Sequence, residues 1–345
     1  MSQSRENDVQ QDDQQTAVRS AQERTLGLYH QLMQINAASH LIRTLRELGL
    51  LDALRERQCT LNQLCSPRSL DSRLVSEILD AAVSIGIVEQ YDEDFALSRA
   101  AHLLCQYDED LADSTWQRLT DLASQTVSRE VHDDQLHLNH LAATQWIHTS
   151  SAMEAAEVLD FGGDSSNEPL EILDLGCGSA VWSAAMAHRD QQSTITAVDH
   201  AAALKAAQST ADSIGLGERF QTVEADPVDF EVGEAEFDLV LIAQRLSCLG
   251  AEEAQSLLAK AFQSLSGGGK LVVIDLFRGP ARPDMSECVE ALRLELGTRH
   301  GGMRTLEKIE AELVDSGFES VQVTFLPDSR VNMGMAVANR PSERA

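Results

Sequence analysis

Apolar residues fall into two regimes along the chain. From about Tyr29 to Phe161 they recur at helical spacing, and from about Leu170 to Asn339 short apolar runs alternate with amphipathic stretches. In the first regime, Leu41, Ile42, Leu45, Leu48, Leu50, Leu51 and Leu54 suit one amphipathic helix from Ala37 to about Arg57. Thr60 is placed to cap a short helix through Leu64. Leu74, Val75, Ile78, Leu79, Ala82 and Val83 give a second long helix over 70–85, with Gly86 placed to end it. Ile87–Tyr91 and Phe95–Ser98 then flank acidic residues 92–94 as a hairpin. Helices followed by a hairpin predict a winged-helix arrangement, and the pattern from Leu141 to Phe161 predicts one further connecting helix.

The second regime predicts an open, mostly parallel seven-stranded sheet. Its strands are read at Leu170–Asp174, Thr194–Asp199, Phe220–Glu224, Phe237–Ile242, Lys270–Asp275, Ser320–Phe325 and Val331–Ala338. Helices are read at Ala180–His188, Ala201–Gly215, Glu252–Leu265 and Leu306–Ser316, and Gly267-Gly268-Gly269 as a tight turn. The turn formers from Gly162 to Pro169 mark a boundary. The expected divisions are a disordered tail over 1–22, a winged-helix-like domain over 23–110, a helical connector over 111–163, and an α/β domain over 164–345.

Composition narrows the possibilities. A chain of 345 residues with 43% hydrophobic content supports two ordinary domains. No apolar run reaches the roughly 18–20 residues needed to span a bilayer, and the polar N-terminus lacks a secretory apolar stretch, so a cytoplasmic location is expected. The net charge of −28 has the wrong sign for phosphate contact. The presumed reading helix carries Asp71, Glu77 and Asp80 against Arg73, and the hairpin tip is acidic. A winged-helix transcription regulator is therefore disfavoured, and neither nucleic acid nor membrane is an expected partner. The six cysteines show no CxxC pair and no zinc spacing, so no metal site is expected.

The chemistry centres on Asp174-Leu-Gly176-Cys-Gly178-Ser-Ala180, which follows the first strand and opens a helix. Gly176 and Gly178 allow a sharp turn and a close approach to a ligand, and the helix start offers free N–H groups. Val181 stands where a dinucleotide fingerprint needs its third glycine. Ala180 matters only where its φ is positive. Asp199 ends the second strand, where an acid can accept two ribose hydroxyls, or cap the following helix. Asp226-Pro227 follows the third strand, and also suits a turn.

The run D-x-G-x-G-x-A resembles the nucleotide motif of class I S-adenosylmethionine (SAM)-dependent methyltransferases. Phe237-Asp238-Leu-Val-Leu-Ile242 and Leu265–Asp275 resemble the family's later motifs. The helical N-terminal half, Gly301–Glu307 and Gly317-Phe318 extend the likeness to dimeric plant-type and bacterial small-molecule O-methyltransferases over about residues 25–340. That resemblance implies a Rossmann-like SAM-binding domain preceded by a winged-helix dimerisation domain, and a homodimer acting on a small-molecule acceptor, expected at oxygen. It implies SAM contacts from Asp174, Gly176, Gly178, Asp199, His200, Asp226, Pro227 and Ala243, with Asp226 meeting the adenine amino group.

One position departs from the family. Counted from Phe237-Asp238, Ser247 stands where the family carries its catalytic His, and a hydroxyl is a poor base near pH 7. Three readings follow. Another histidine supplies the base, with His148 foremost and His137, His140 and His300 behind it; or the acceptor is already nucleophilic and alignment suffices; or SAM is bound without methyl transfer. Methylation of a protein acceptor is a further alternative. Trp116, Trp146, Trp182 and Met153 are candidates for an apolar pocket or for core.

Overall fold

The computed structural model describes residues 2–107, 113–127, 134–163, 169–231, 236–279, 281–329, 331 and 333–342. The chain divides into two compact units, Met1–Ala112 and Asp113–Ala345.

The first unit runs α1 (Ser2–Glu47), α2 (Leu50–Glu56), β1 (Cys59–Thr60), α3 (Leu61–Cys65), α4 (Ser72–Ser84), β2 (Val88–Tyr91), β3 (Asp94–Leu97) and α5 (Arg99–Tyr107). The single helix expected over 37–57 is two, because Gly49 takes the left-handed conformation (φ 65°) and breaks the ladder. Helix is assigned from Ser2, through the segment read as a disordered tail; no glycine or proline interrupts residues 2–26, so nothing local opposes it. Thr60 and Gln63 form a reciprocal capping box at α3, and Asp71 caps α4 through the Arg73 and Leu74 N–H groups. The strands form a three-stranded antiparallel sheet in the order β1-β3-β2. Leu45, Leu50, Leu54, Val75, Leu79 and Phe95 are among the residues of its core.

The second unit runs α6 (Asp113–Ala123), α7 (Asp134–Thr144), α8 (Thr149–Val158), β4 (Glu171–Leu175), α9 (Val181–Arg189), β5 (Thr194–Asp199), α10 (Ala201–Ser213), β6 (Phe220–Glu224), β7 (Phe237–Ala243), α11 (Ala251–Ser264), β8 (Leu265–Arg278), α12 (Met285–Gly297), β9 (Arg304–Thr305), α13 (Leu306–Asp315), β10 (Glu319–Phe325) and β11 (Met333–Asn339). The main sheet has the order β10-β11-β8-β7-β4-β5-β6, with β9 attached to β8. Pairing among β6, β5, β4, β7 and β8 is parallel, and β11 pairs antiparallel on both sides. Side chains alternate across it. Ile172 and Ile195 join the core shared with α8, α9 and α10, while Leu173, Leu175 and Val198 join the core shared with α11 and α13.

Two expectations for this unit are corrected, and one helix adds to them. The connector is not one helix from Leu141 to Phe161: α7 ends at Thr144, a 3-10 turn spans Gln145–His148, and α8 follows. The three glycines do not precede a strand but lie inside β8, where the register against β7 jumps and Gly268 (φ 83°) donates its N–H to the Arg340 carbonyl. Helix α12 has no counterpart in the sequence reading. Asp284 caps it, and its buried face includes Glu287, which pairs with Arg278, so its apolar periodicity is interrupted. Of the turn formers after α8, residues 164–168 lie outside the described residues.

The chain order places β5 and β6 to one side of β4, and β7 and β8 to the other. The strand order therefore reverses between β4 and β7. Such sheets take their ligands outside the carboxyl ends of the strands at that point.

Candidate functional site

At the reversal, the turn after β4 is built by the backbone. Gly176 and Cys177 donate their N–H groups to the Val198 carbonyl of β5, at 2.9 and 3.3 Å. Gly176, Gly178 and Ala180 all have positive φ, at 76°, 56° and 56°. Ala180 thus takes a left-handed conformation that costs a non-glycine residue roughly 1–2 kcal/mol, so the substitution at the motif's last glycine is a strained one. Helix α9 starts at the next residue.

Two carboxylates flank this turn. Asp199, buried at the end of β5, accepts the Gly178 N–H at 2.9 Å through Oδ2 and the His200 N–H at 2.8 Å through Oδ1. It locks the turn to β5 and keeps lone pairs for further donors. Asp174, the fourth residue of β4, is fully buried. Its Oδ2 accepts the Ser183 hydroxyl at 2.5 Å and its Oδ1 has no hydrogen-bond partner. Burial pushes its pKa up to about 7, against the opposing pull of Ser183. The same burial raises the Cys177 thiol well above its usual range.

The other expected contacts are brought to the same edge. Asp226 follows β6, and its Oδ1 accepts the Val228 N–H at 2.9 Å, an Asx-type turn. Its Oδ2 lies 3.9 Å from His200 Nε2. Pro227 is buried beside it, and Ala243 is the buried last residue of β7.

The segment after β7 explains the missing histidine position. Ser247 donates its backbone N–H to Asp275 Oδ2 at 2.8 Å, and its carbonyl accepts the Gly302 N–H at 2.7 Å. Burial raises the Asp275 pKa, against the opposing pull of Ser247. Arg304 reinforces the segment by donating to the Leu246 carbonyl. Ser247 is thus a buried structural tie.

The candidate bases lie elsewhere. His148 stacks on Trp182, with ring centroids 6.0 Å apart, and burial lowers its pKa to about 4. His140 Nε2 sits 3.3 Å from Arg293 Nη2, His137 lies beside Gly297 of α12, and His300 is exposed beside Gly250. Trp182 is core, and its indole N–H donates to Gln244 Oε1 at 3.2 Å. Trp146 and Met153 line a largely apolar cavity of about 490 Å³ that runs along α9 and α10 and reaches Ser179.

Sequence reasoning missed Gln145 and Arg245. Gln145, from the turn between α7 and α8, accepts the Ser179 N–H at 2.7 Å and its hydroxyl at 3.2 Å. Its carboxamide lies where a Cβ on Gly178 would be. Arg245 Cγ would lie 2.9 Å from a Cβ on Gly176. Gln145 has no motif signal, because its helix breaks without a glycine or proline. Arg245 carried one, as a cation two residues beyond a buried strand at the switch point.

Comparison with known proteins agrees with this geometry. Residues 172–269 match the family model for a methyltransferase domain. The N,N-dimethyltransferase OxyT of Streptomyces rimosus is 24% identical over 340 residues, covering 90% of this chain and 96% of that one. A putative O-methyltransferase from Nostoc punctiforme superposes with a TM-score of 0.69 at 20% identity, covering 91% and 98% of the two chains. Human N-acetylserotonin methyltransferase, solved in complex with SAM, gives 0.65 at 16% identity, covering 89% and 94%. The buried unpartnered Asp174 Oδ1, the free lone pairs of Asp199 and the left-handed turn suit a ligand carrying an ammonium and a ribose. Residues 172–269 thus match a methyltransferase domain, and the turn with its two carboxylates suits S-adenosylmethionine as the cofactor.

Proposed function

We propose that the protein methylates a small-molecule acceptor at an atom that is already nucleophilic, an amine nitrogen in preference to a hydroxyl. The observation that carries this reading is the lack of a presented base at the family's catalytic position. Ser247 is buried and tied to Asp275 through its N–H. His148 is stacked on Trp182 with a pKa lowered to about 4, far from the near-neutral value that suits a general base. A neutral amine carries its own lone pair and needs only alignment, which can supply up to roughly 7–11 kcal/mol of the barrier. The relative OxyT is an N,N-dimethyltransferase, which supports the same reading.

The cofactor supplies an electrophilic methyl on a sulfonium. The chain's own residues bind and orient it: Asp199 is placed for the ribose hydroxyls, Asp174 for the ammonium, and Asp226 and Pro227 border the adenine side with His200, while Ala243 closes the β7 edge. O-methylation with His148 as base is the second reading, favoured by the sequence likeness to O-methyltransferases. The N-terminal unit is assigned to a winged-helix-like dimerisation role. Its support is α1, where Leu28, Tyr29, Leu32, Met33 and Ile35 are each more than half exposed.

The two readings separate with His148→Gln and Ser247→Ala. Under the nitrogen reading, neither lowers kcat/KM on an amine acceptor by more than a few-fold, and the pH profile follows the acceptor's own ionisation. A loss of 100-fold or more in a folded His148→Gln protein establishes the base and the oxygen reading.

A further inference from the structure

Three buried polar atoms around the glycine turn lack hydrogen-bond partners: Gln145 Nε2, Arg245 Nε and Asp174 Oδ1. Their residues are only 1%, 6% and 1% exposed. Leaving such groups unpaired costs roughly 1–3 kcal/mol each, more when charged. Three at one place therefore point to a ligand that completes them.

The chemistry of the set is specific. Arg245 Nε and Gln145 Nε2 are donors, and one belongs to a guanidinium, so together they call for an anion. Asp174 Oδ1 is an acceptor on a carboxyl and calls for a cationic donor. All three flank one turn. Asp174 lies two residues before Gly176, Arg245 packs on the face of Gly176, and Gln145 packs on the face of Gly178 while its Oε1 is held by Ser179. That bond fixes the carboxamide so that Nε2 is the end left over. An anion and an ammonium side by side describe an α-amino acid zwitterion.

We propose that Arg245 and Gln145 are positioning residues that hold the carboxylate of the cofactor's amino-acid end, opposite the ammonium at Asp174. The proposal deepens the cofactor assignment and rests on it. It also explains why the connector breaks at Gln145, since a continuous helix would not present this carboxamide to the turn.

The test compares binding of S-adenosylmethionine with its decarboxylated form, which keeps the adenosine, sulfonium and amine and lacks only the carboxylate. Titration calorimetry on the full chain reads binding without any methyl transfer. Arg245→Met is expected to weaken S-adenosylmethionine about 10- to 100-fold and to change the decarboxylated ligand less than three-fold. Gln145→Glu, which sets an anion against the carboxylate, is expected to show the same selectivity at about ten-fold, and it carries the test where Arg245→Met does not fold. Equal losses for both ligands, or none, overturn the proposal while leaving the cofactor assignment intact. A wild-type protein that binds neither ligand overturns both.

Discussion

Two buried titratable residues make opposite demands on the fold. Asp174 has its pKa raised to about 7 by burial, so it favours the folded state when protonated. That contribution is complete below its unfolded value near 4 and is lost as pH rises through 7, an effect on the order of 4 kcal/mol. His148 has its pKa lowered to about 4, so it favours the folded state when neutral. Its contribution is present above about 6.5 and is lost as pH falls through 4, an effect on the order of 3 kcal/mol. In the window between, the two slopes oppose each other. Replacing Asp174 with Asn exposes the histidine slope. Relative to wild type, the variant is expected to gain stability from pH 4 to pH 7 and then level off, read by urea unfolding at each pH. A difference independent of pH contradicts the burial of a titrating carboxyl there.

At the scale of elements, the glycine turn and the connector form a coupled pair. A methyl on Gly178 meets the Gln145 carboxamide and is also strained by the positive φ of 56°. Gly178→Ala is expected to destabilise by about 1–3 kcal/mol. Gln145→Ser is expected to remove the steric part, so a double-mutant cycle by thermal unfolding yields a coupling of about 1 kcal/mol or more; additive values show that the contact carries no energy. Much of this region was legible beforehand. Thr194–Asp199 and Phe220–Glu224 are read from sequence with their observed limits, because short β-branched runs bounded by turn formers have few alternatives. Asp174, Gly176, Gly178 and Asp199 are found through the motif and do converge at one edge. Helix α12 and the break at Gln145 were not legible. The first is hidden because a buried Glu287 paired with Arg278 interrupts its apolar face. The second is set by tertiary contact with Ser179, which no local signal encodes. The structural use of Ser247 was equally hidden, since Asp275 lies 28 residues away in sequence.

For the molecule as a whole, the charge of −28 governs what it meets. Like charges repel within the fold, so added salt is expected to raise the thermal midpoint by screening; a midpoint that falls with moderate salt contradicts this. Duplex DNA is not expected to be retained in a gel shift at moderate salt. Among the described residues, no helix is long and apolar enough to cross a membrane. The exposed apolar residues of α1 call for a partner helix, and a homodimer is expected in sedimentation. Replacing Leu28 and Leu32 together with Glu is expected to give monomer; a monomeric wild type removes the dimer from the account.

Binding of the cofactor tests the central claim most directly. Calorimetric titration of the wild-type chain with S-adenosylmethionine is expected to show one site per chain. Asp199→Ala, which removes the carboxylate holding the glycine turn and facing the ribose, is expected to weaken that site by at least ten-fold. A folded wild-type protein that takes up neither S-adenosylmethionine nor its demethylated product contradicts the account.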